Sequence, residues 1–227
     1  MHEDYIATYL DEIQDIAINI DRTAIAKAVD ILFEAWQKGN HVYVAGCGGS
    51  AGTASHFAAD LAKTTMSKNK KRIKAISLVE NPSLITAWIN DEGWDNVFVG
   101  QIENFIKRGD VIVCFSVHGG KGRGNALAWS QNLTKAMQFV KDKGGKAIGI
   151  AGFDGGAFTE LADACIIVPK NSTPLVEGFH GDIHHLIIFR LKELIQDYDE
   201  HIHGKEALVE RLKELVNEYG EDGQWHV

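Results

Sequence analysis

The chain contains only three cysteines among its 227 residues, and they lie far apart, at Cys47, Cys114 and Cys165. No two of them have the spacing of paired metal ligands, so a metal cluster built from cysteines is excluded. Each lies in or beside an apolar, strand-like run, which predicts buried, reduced thiols and no disulfide framework. This use of cysteine is typical of a protein from a reducing compartment.

The sequence also lacks an apolar run of about 18 residues, so it offers no segment that spans a membrane. Its first residues, Met1-His2-Glu3-Asp4, are acidic where a secretion signal carries positive charge. The 23 basic residues are outnumbered by 31 acidic ones, and the net charge of −8 argues against nucleic acid as a main partner. We therefore expect a cytoplasmic protein that binds neither membranes nor nucleic acid.

What the sequence does contain is the composition of a globular domain, with 45% hydrophobic and 24% charged residues. Apolar runs alternate with segments of helical periodicity. Because the runs are apolar throughout, they predict a parallel sheet covered by helices on both faces, which is an α/β fold in three layers. The predicted strands are Val42–Ala45, Arg72–Val79, Val111–Ser116, Ala147–Ala151 and Cys165–Pro169. The predicted helices cover about residues 51–63, 82–88, 97–106, 132–143, 158–161 and 177–196.

The chain reads as one domain with helical additions at both ends, because it has no internal repeat and no low-complexity linker. Two apolar stripes at helical spacing occupy residues 5–38. We therefore expect N-terminal helices over 1–40 that pack on an α/β domain of 41–197. Residues 198–227 are expected to form a helical extension, with an amphipathic helix at Lys205–Tyr219.

The first strand ends in a glycine-rich turn that predicts a phosphate site. Glycines let the backbone of Gly48 and Gly49 approach a ligand closely, and the N–H groups at the following helix start suit an anion. Ser50 adds a hydroxyl at the lip of this turn. The third strand likewise ends at Ser116, and Ser130 precedes a predicted helix as its N-cap. These serines predict a second phosphate-binding wall, although each alone also fits a cap or a turn.

Two further clusters carry proton-transfer or metal-ligating side chains. His56 and Asp60 are four residues apart and share a helix face, which fits a metal or acid–base pair but also a simple surface pair. The second cluster has five ionisable residues in nine: Glu177, His180, Asp182, His184 and His185. A solvated helix start would explain its acids but not its three histidines. Helical spacing alone does not choose between His184 and His185 as the partner of Glu177.

These motifs together resemble the sugar isomerase (SIS) domain family, and within it the phosphoheptose isomerases. Gly46–Ser50 followed by Ser55–Leu61 is similar to the first motif of that family. The similarity covers roughly residues 5–197 and the combination of motifs is specific. It continues through Asn90–Asp95, Ser116–Gly119, Lys143–Lys146, Asp154–Gly156 and Glu177–His185.

The resemblance implies a flavodoxin-like five-stranded parallel sheet and a homotetramer, or a dimer, with sites between subunits. It implies a ketose–aldose isomerase that converts sedoheptulose 7-phosphate, or a related sugar phosphate, through an enediol. It also implies a divalent metal, Zn²⁺ in some members, held by His56, Asp60, Glu177 and His185, so that His185 is chosen over His184. Asp60 is then the base and His185 the acid. The substrate and its phosphate would be bound by Gly48, Gly49, Ser50, Asp91, Ser116, His118 and Ser130.

The chain departs from the family pattern at several of these positions. The family usually has Glu at Asp60, Gln at Glu177 and Asn at Cys47, and here an insertion of about ten residues, Gly120 to Trp129, precedes Ser130. Lys121 or Arg123 in that insertion would reach the phosphate or cover the site. The acidic residue at 177 should hold a cation more tightly and weaken its Lewis acidity. Two alternatives remain: a non-catalytic SIS module that binds a sugar phosphate or a replication initiator, and an isomerase or lyase of a different sugar phosphate.

Overall fold

The structure, a computed structural model, describes residues 2–120 and 130–198 of the chain. Its five strands form one sheet in the order β2-β1-β3-β4-β5, and every neighbouring pair is parallel. This confirms the predicted α/β class and the five-stranded parallel sheet. The strands are β1 (His41–Gly46), β2 (Lys74–Ser77), β3 (Val111–Phe115), β4 (Lys146–Gly152) and β5 (Ala164–Val168).

Eight helices surround the sheet within the described residues. One core joins α1, α2, α3 and α8 to one face of the sheet, and a second core joins α4 to α7 to the other face. The three layers follow from the alternation along β1, where Val42 and Val44 face the first core and Tyr43 and Ala45 the second. The helices are α1 (His2–Asn19), α2 (Arg22–Lys38), α3 (Gly49–Lys63), α4 (Pro82–Glu92), α5 (Val99–Ile102), α6 (Gln131–Asp142), α7 (Phe158–Leu161) and α8 (Thr173–Asp197).

Several element boundaries differ from those predicted. The edge strand β2 pairs with β1 alone and covers only Lys74–Ser77 of the predicted Arg72–Val79. Only Val99–Ile102 of the predicted helix 97–106 is an α-helix. The residues that follow form turns, in which the N–H groups of Phe105 and Ile106 bond to the carbonyl of Ile102. Helix α4 runs on to Glu92, where Gly93 with a positive φ of 84° ends it.

Helix α8 begins at Thr173, four residues before the predicted start at Glu177, with a proline in its first turn. Glu177 therefore lies one turn inside the helix. The predicted helix Lys205–Tyr219 and the inserted residues 121–129 lie outside the described residues. Within the described part of the chain, no helix is both long and apolar enough to cross a membrane.

The register of the sheet brings the ends of its three central strands together. Gly46 of β1 pairs with Phe115 of β3, which pairs with Ile150 of β4. Beyond Gly46 the chain turns back so tightly that a Cβ there would lie 2.3 Å from the carbonyl oxygen of Ser50. Only glycine fits this position, and the turn starts α3 at the carboxyl edge of the sheet, where ligands of parallel sheets bind.

Candidate active site

A polar cavity of about 130 Å³ opens at the carboxyl edge of the sheet, between the glycine turn, the end of β3 and α8. It collects residues from four separate stretches of the sequence, as expected where parallel strands end. Most of the predicted phosphate-binding side chains are among them. The described residues that line the cavity are Cys47, Ser50, Phe115, Ser116, Val117, His118, Ser130 and Glu177.

The glycine turn forms one wall of this cavity. Helix α3 starts at Gly49, and its N-cap, Gly48, has φ 60° and no side chain to cap the first N–H groups. Ser50 is 2% exposed and lines the cavity beside these groups. A helix N-terminus without a side-chain cap, next to a hydroxyl, is a suitable place for an anion.

Two serines form the opposite wall. Ser116, 7% exposed, follows β3, and its Oγ accepts a hydrogen bond from the Gly120 N–H at 3.3 Å. Ser130 precedes α6 in a left-handed conformation, φ 62°, and its side chain makes no capping hydrogen bond. Ser130 is therefore the N-cap residue of α6, as predicted, but its side chain does not make the hydrogen bond typical of that position. Both hydroxyls face the cavity instead.

Cys47, in the glycine turn, contacts the opposite wall through α6. The Nδ2 of Asn132, in the first turn of α6, lies 3.5 Å from its Sγ. Burial raises the pKa of the Cys47 thiol, and contacts with Asn132 and Ser130 oppose the shift. The thiol is thus a neutral packing group at the floor of the cavity. Asn132 is not predictable from the sequence as part of this site, because a buried amide in a helical pattern carries no local signal.

About two turns beyond the cavity-lining residues Ser50 and Glu177, helices α3 and α8 bring three imidazoles and one carboxylate together. The nearest ligand atoms of His56, Asp60, His184 and His185 all lie within 4.8 Å of one another. His184 Nε2 is 2.9 Å and His56 Nε2 is 3.4 Å from Asp60 Oδ2. The rings of His184 and His185 stack with centroids 4.3 Å apart. Three imidazoles and a carboxylate are donors that zinc takes in proteins, so the group fits a divalent metal.

Asp60 is the central member of this group, which we call the His/Asp cluster. Its Oδ1 accepts a hydrogen bond from Thr64 Oγ1 at 2.7 Å, and its Oδ2 lies beside His184. Burial alone would raise the pKa of Asp60, but the hydrogen bonds from Thr64 and His184 and the nearby His56 together lower it. Asp60 is therefore an ionised carboxylate, as metal binding requires.

Glu177, the fourth ligand that the resemblance implies, lies elsewhere. Its carboxylate packs against Gly49, where a Cβ would meet Glu177 Oε1 at 2.7 Å, and it lines the cavity. The structure thus brings together His56, Asp60 and His185 of the four expected ligands and adds His184, which is 1% exposed. The hydrogen bond between His184 and Asp60 spans 124 residues, so periodicity along one helix could not reveal it.

Of two further residues predicted to bind substrate, His118 lines the cavity and Asp91 does not. His118 lines the cavity, and its ring contacts that of Phe153 with centroids 4.3 Å apart. Asp91 is exposed in the last turn of α4, where its Oδ1 accepts a hydrogen bond from Asn90, and it is not among the residues that line the cavity.

His180 is buried beneath the site, and its ring lies at 62° to that of Phe115 with centroids 5.9 Å apart. Neither ring nitrogen has a hydrogen-bond partner among the described residues. Burial lowers the pKa of His180 to about 4, and the nearby Ala151 backbone opposes the shift more weakly. The folded protein therefore holds this imidazole neutral, and its chemistry is that of packing.

Acid is expected to destabilise the protein through His180. Its folded-state pKa lies below the ordinary value of 6.5, so the unfolded chain binds the proton first as the pH falls. The contribution is complete above pH 6.5 and is lost toward pH 4, about 3 kcal/mol in all at 1.36 kcal/mol per pKa unit. Urea unfolding at pH 7 and pH 4.5 measures it. His180→Leu should show a correspondingly smaller pH dependence, and an unchanged one would contradict this assignment.

Comparisons with known proteins agree with these features. Residues 5–152 match the family model of the SIS domain. The chain is 34% identical over 187 residues to the phosphoheptose isomerase of Aliarcobacter butzleri, over 82% of this chain and 89% of the relative. It is 39% identical over 168 residues to the lincomycin biosynthesis protein LmbN of Streptomyces lincolnensis. That alignment covers 72% of this chain but only 60% of LmbN, so the chain spans less than two thirds of that relative.

Solved structures share the fold of this chain at low sequence identity. The phosphoheptose isomerase of Neisseria gonorrhoeae superimposes with a TM-score of 0.72 at 23% identity, over 84% of this chain and 96% of that one. The phosphoheptose isomerase of Francisella tularensis gives 0.71 at 22% identity, over the same shares of the two chains. At these identities the likeness establishes the fold alone.

Proposed function

The chain belongs to the SIS-domain family, and we propose that it is a metal-assisted isomerase that interconverts a ketose phosphate and an aldose phosphate. The observation that carries the proposal is that the same two helices, α3 and α8, contribute both to the cavity and to the His/Asp cluster. Phosphoheptose isomerases among the relatives favour sedoheptulose 7-phosphate, or a sugar phosphate of similar length, as the substrate.

In this proposal the cavity holds the phosphate. The N-terminus of α3 and the hydroxyls of Ser50, Ser116 and Ser130 supply donors for its oxygens. Binding at this remote group fixes the sugar so that C1 and C2 lie toward the His/Asp cluster. Within the described residues, the cluster supplies the imidazoles and the carboxylate that can bind a metal or transfer protons.

Isomerisation moves a proton between C1 and C2. Asp60 is the base that the family resemblance implies, and His185 is the acid that protonates the carbonyl oxygen. His56, Asp60, His184 and His185 would hold a divalent cation, most simply Zn²⁺. When bound, the cation supplies Lewis-acid polarisation of the substrate carbonyl and stabilises the charge of the enediolate.

We further propose that the protein is a homotetramer, or a dimer, with sites near the subunit boundary. Leu186 and Phe189 are each 52% exposed, and they share the solvent face of α8 with His185. A second copy that covers this face would remove these apolar side chains from water and close the exposed side of the cluster. The molar mass in solution, by light scattering, tests it against the 25.0 kDa of one chain.

The experiment that tests the function is incubation with C5 to C7 ketose phosphates in deuterated water. We expect conversion of at least one to its aldose, with exchange of the C1 or C2 proton, and loss of both after chelation and their return with Zn²⁺. A protein that binds these sugars without conversion or exchange would instead be a non-catalytic SIS module. Elimination to an unsaturated product without isomerisation would indicate a lyase.

A further inference from the structure

Phe153, which directly follows β4 at the carboxyl edge of the sheet, has a backbone conformation that phenylalanine rarely adopts. Its φ is 55°, in the left-handed region where a large side chain is crowded by its own backbone. The N–H of Gly155 bonds to the carbonyl of Gly152 at 2.9 Å, so Phe153 is the first central residue of a turn. Turns with a positive φ at this position ordinarily have glycine there. The aromatic side chain is therefore kept in spite of backbone strain.

The ring of Phe153 contacts the imidazole of His118, which follows β3 and lines the cavity. The two ring centroids are 4.3 Å apart, and the ring planes are tilted by 52°. Ser130, another of the three non-glycine residues with positive φ in the described part of the chain, lines the same cavity. Strained backbone is concentrated at binding sites, where it holds a side chain in a required place. The contact with His118 gives the strain at Phe153 such a reason.

The loop that carries His118 is fixed through its backbone. The carbonyls of Val117 and Gly119, on either side of His118, accept hydrogen bonds at 3.0 and 3.2 Å from the N–H groups of Gly152 and Phe158. A methyl group on the neighbouring loop, at Gly156, would lie 2.2 Å from the carbonyl oxygen of His118, so the two loops are packed backbone against backbone. The imidazole therefore keeps only rotation about its own side-chain bonds.

The direction of this imidazole matters for the choice of ligand. Among the described residues that line the cavity, His118 alone can present a ring N–H or a positive charge to an anion. The serine hydroxyls bind an uncharged sugar hydroxyl as readily as a phosphate oxygen, and Glu177 repels phosphate. Charge-assisted hydrogen bonds are about twice as strong as neutral ones. A well-placed imidazole therefore favours a phosphate group over a neutral one.

We propose that Phe153 is a positioning residue for phosphate recognition, whose ring holds the imidazole of His118 with an N–H directed into the cavity. The inference rests on the proposed function, because it takes the cavity to be the phosphate site. Phe153 acts through His118 and does not touch the ligand. Without the ring, the imidazole samples other rotamers and has to be immobilised again on binding, which typically weakens affinity by about 2- to 12-fold.

The experiment measures the affinity of the full chain for inorganic phosphate by isothermal titration calorimetry. Phe153→Ala removes the ring and should bind phosphate about fivefold more weakly than the parent. Phe153→Tyr keeps an aromatic ring at this position and should retain most of the affinity. Phe105→Ala makes the same change as Phe153→Ala at a side chain that is 63% exposed, and it should bind phosphate as the parent does.

A double-variant cycle with His118→Ala separates positioning from a general structural loss. If Phe153 acts through His118, Phe153→Ala should weaken phosphate binding in the parent but not in the His118→Ala protein. The serine hydroxyls and the N-terminus of α3 remain in that protein, so its phosphate affinity stays measurable. Equal weakening in both backgrounds, or none in the parent, would overturn the inference.

Phe153→Gly separates the role of the ring from that of the strained backbone. Glycine adopts a positive φ without strain, so this variant should resist urea at least as well as Phe153→Ala. Its phosphate affinity should equal that of Phe153→Ala, since both variants lack the ring. A glycine variant that binds phosphate as tightly as the parent would show that the ring is not needed, and would reject the proposal.

Isomerase activity of the parent preparation distinguishes failure of this inference from failure of the proposed function. A parent that converts sugar phosphate and binds inorganic phosphate, but whose two substitutions are additive, rejects only the role of Phe153. A parent that binds no phosphate and converts no sugar rejects both.

Discussion

His185→Ala is expected to lower kcat about 10³-fold while leaving the fold intact, since general acid catalysis typically contributes 10²- to 10⁴-fold. The imidazole of His185 is exposed and stacks on His184, so its loss removes no buried contact from the core. The expected deficit has two parts, the lost proton donor and one fewer ligand in the His/Asp cluster. Steady-state kinetics with the converted ketose phosphate, together with metal content by mass spectrometry, measures both.

His56→Ala is the matched control, because His56 is also an exposed imidazole of the same cluster, with a side chain that is 57% accessible. If His56 serves the metal alone, excess Zn²⁺ should restore most of the activity of this variant. The same excess should leave His185→Ala slow, since the missing acid is not replaced. Equal rescue of both variants would show that His185 is only a ligand.

The parts of the fold that rest on long apolar runs were predictable from the sequence. Strands β1 and β3 are apolar throughout because both of their faces are covered, and their positions matched within one or two residues. The segment 97–106 was not predictable at this level. Val97, Phe98 and Ile102 are buried at helical spacing, but successive turns bury such residues as well as a helix does.

The site was predictable where its residues follow strand ends, and less so where contacts cross between helices. That Ser50, Ser116 and Ser130 line one cavity was predictable, because each lies at the end of a strand or the start of a helix. The partner of Asp60 was not, because it depends on how α8 packs against α3. That packing buries His184 and turns His185 outward, which no spacing along α8 alone distinguishes.

Asp60→Asn is expected to weaken metal binding about 100-fold and to reduce activity accordingly, because it removes the one anionic ligand of the His/Asp cluster. The variant keeps the volume of the side chain but exchanges a charged acceptor of two hydrogen bonds for an amide. We expect a loss of about 1.5 to 3 kcal/mol in unfolding free energy, the range for hydrogen bonds to charged groups. Competition with a metal-sensitive dye and urea unfolding give the two quantities.

Asp182→Asn controls for the loss of a negative charge near the site, since Asp182 is an exposed carboxylate on the same face of α8 as His185. It should leave metal affinity and stability unchanged. A similar fall in metal affinity in both variants would mean that Asp60 acts through the general electrostatic field and not as a ligand.

Asp60→Glu tests why this chain has the shorter acid at a position where the family resemblance implies glutamate. Asp60 Oδ2 already lies 2.9 Å from the buried His184, so an added methylene has to displace that contact. We expect Asp60→Glu to be less stable than the parent and to regain stability when combined with His184→Ala, which opens space for the longer side chain. Additive losses in the double variant would show that the two residues are independent. Recovery would show that the short carboxylate and the additional histidine form one matched pair.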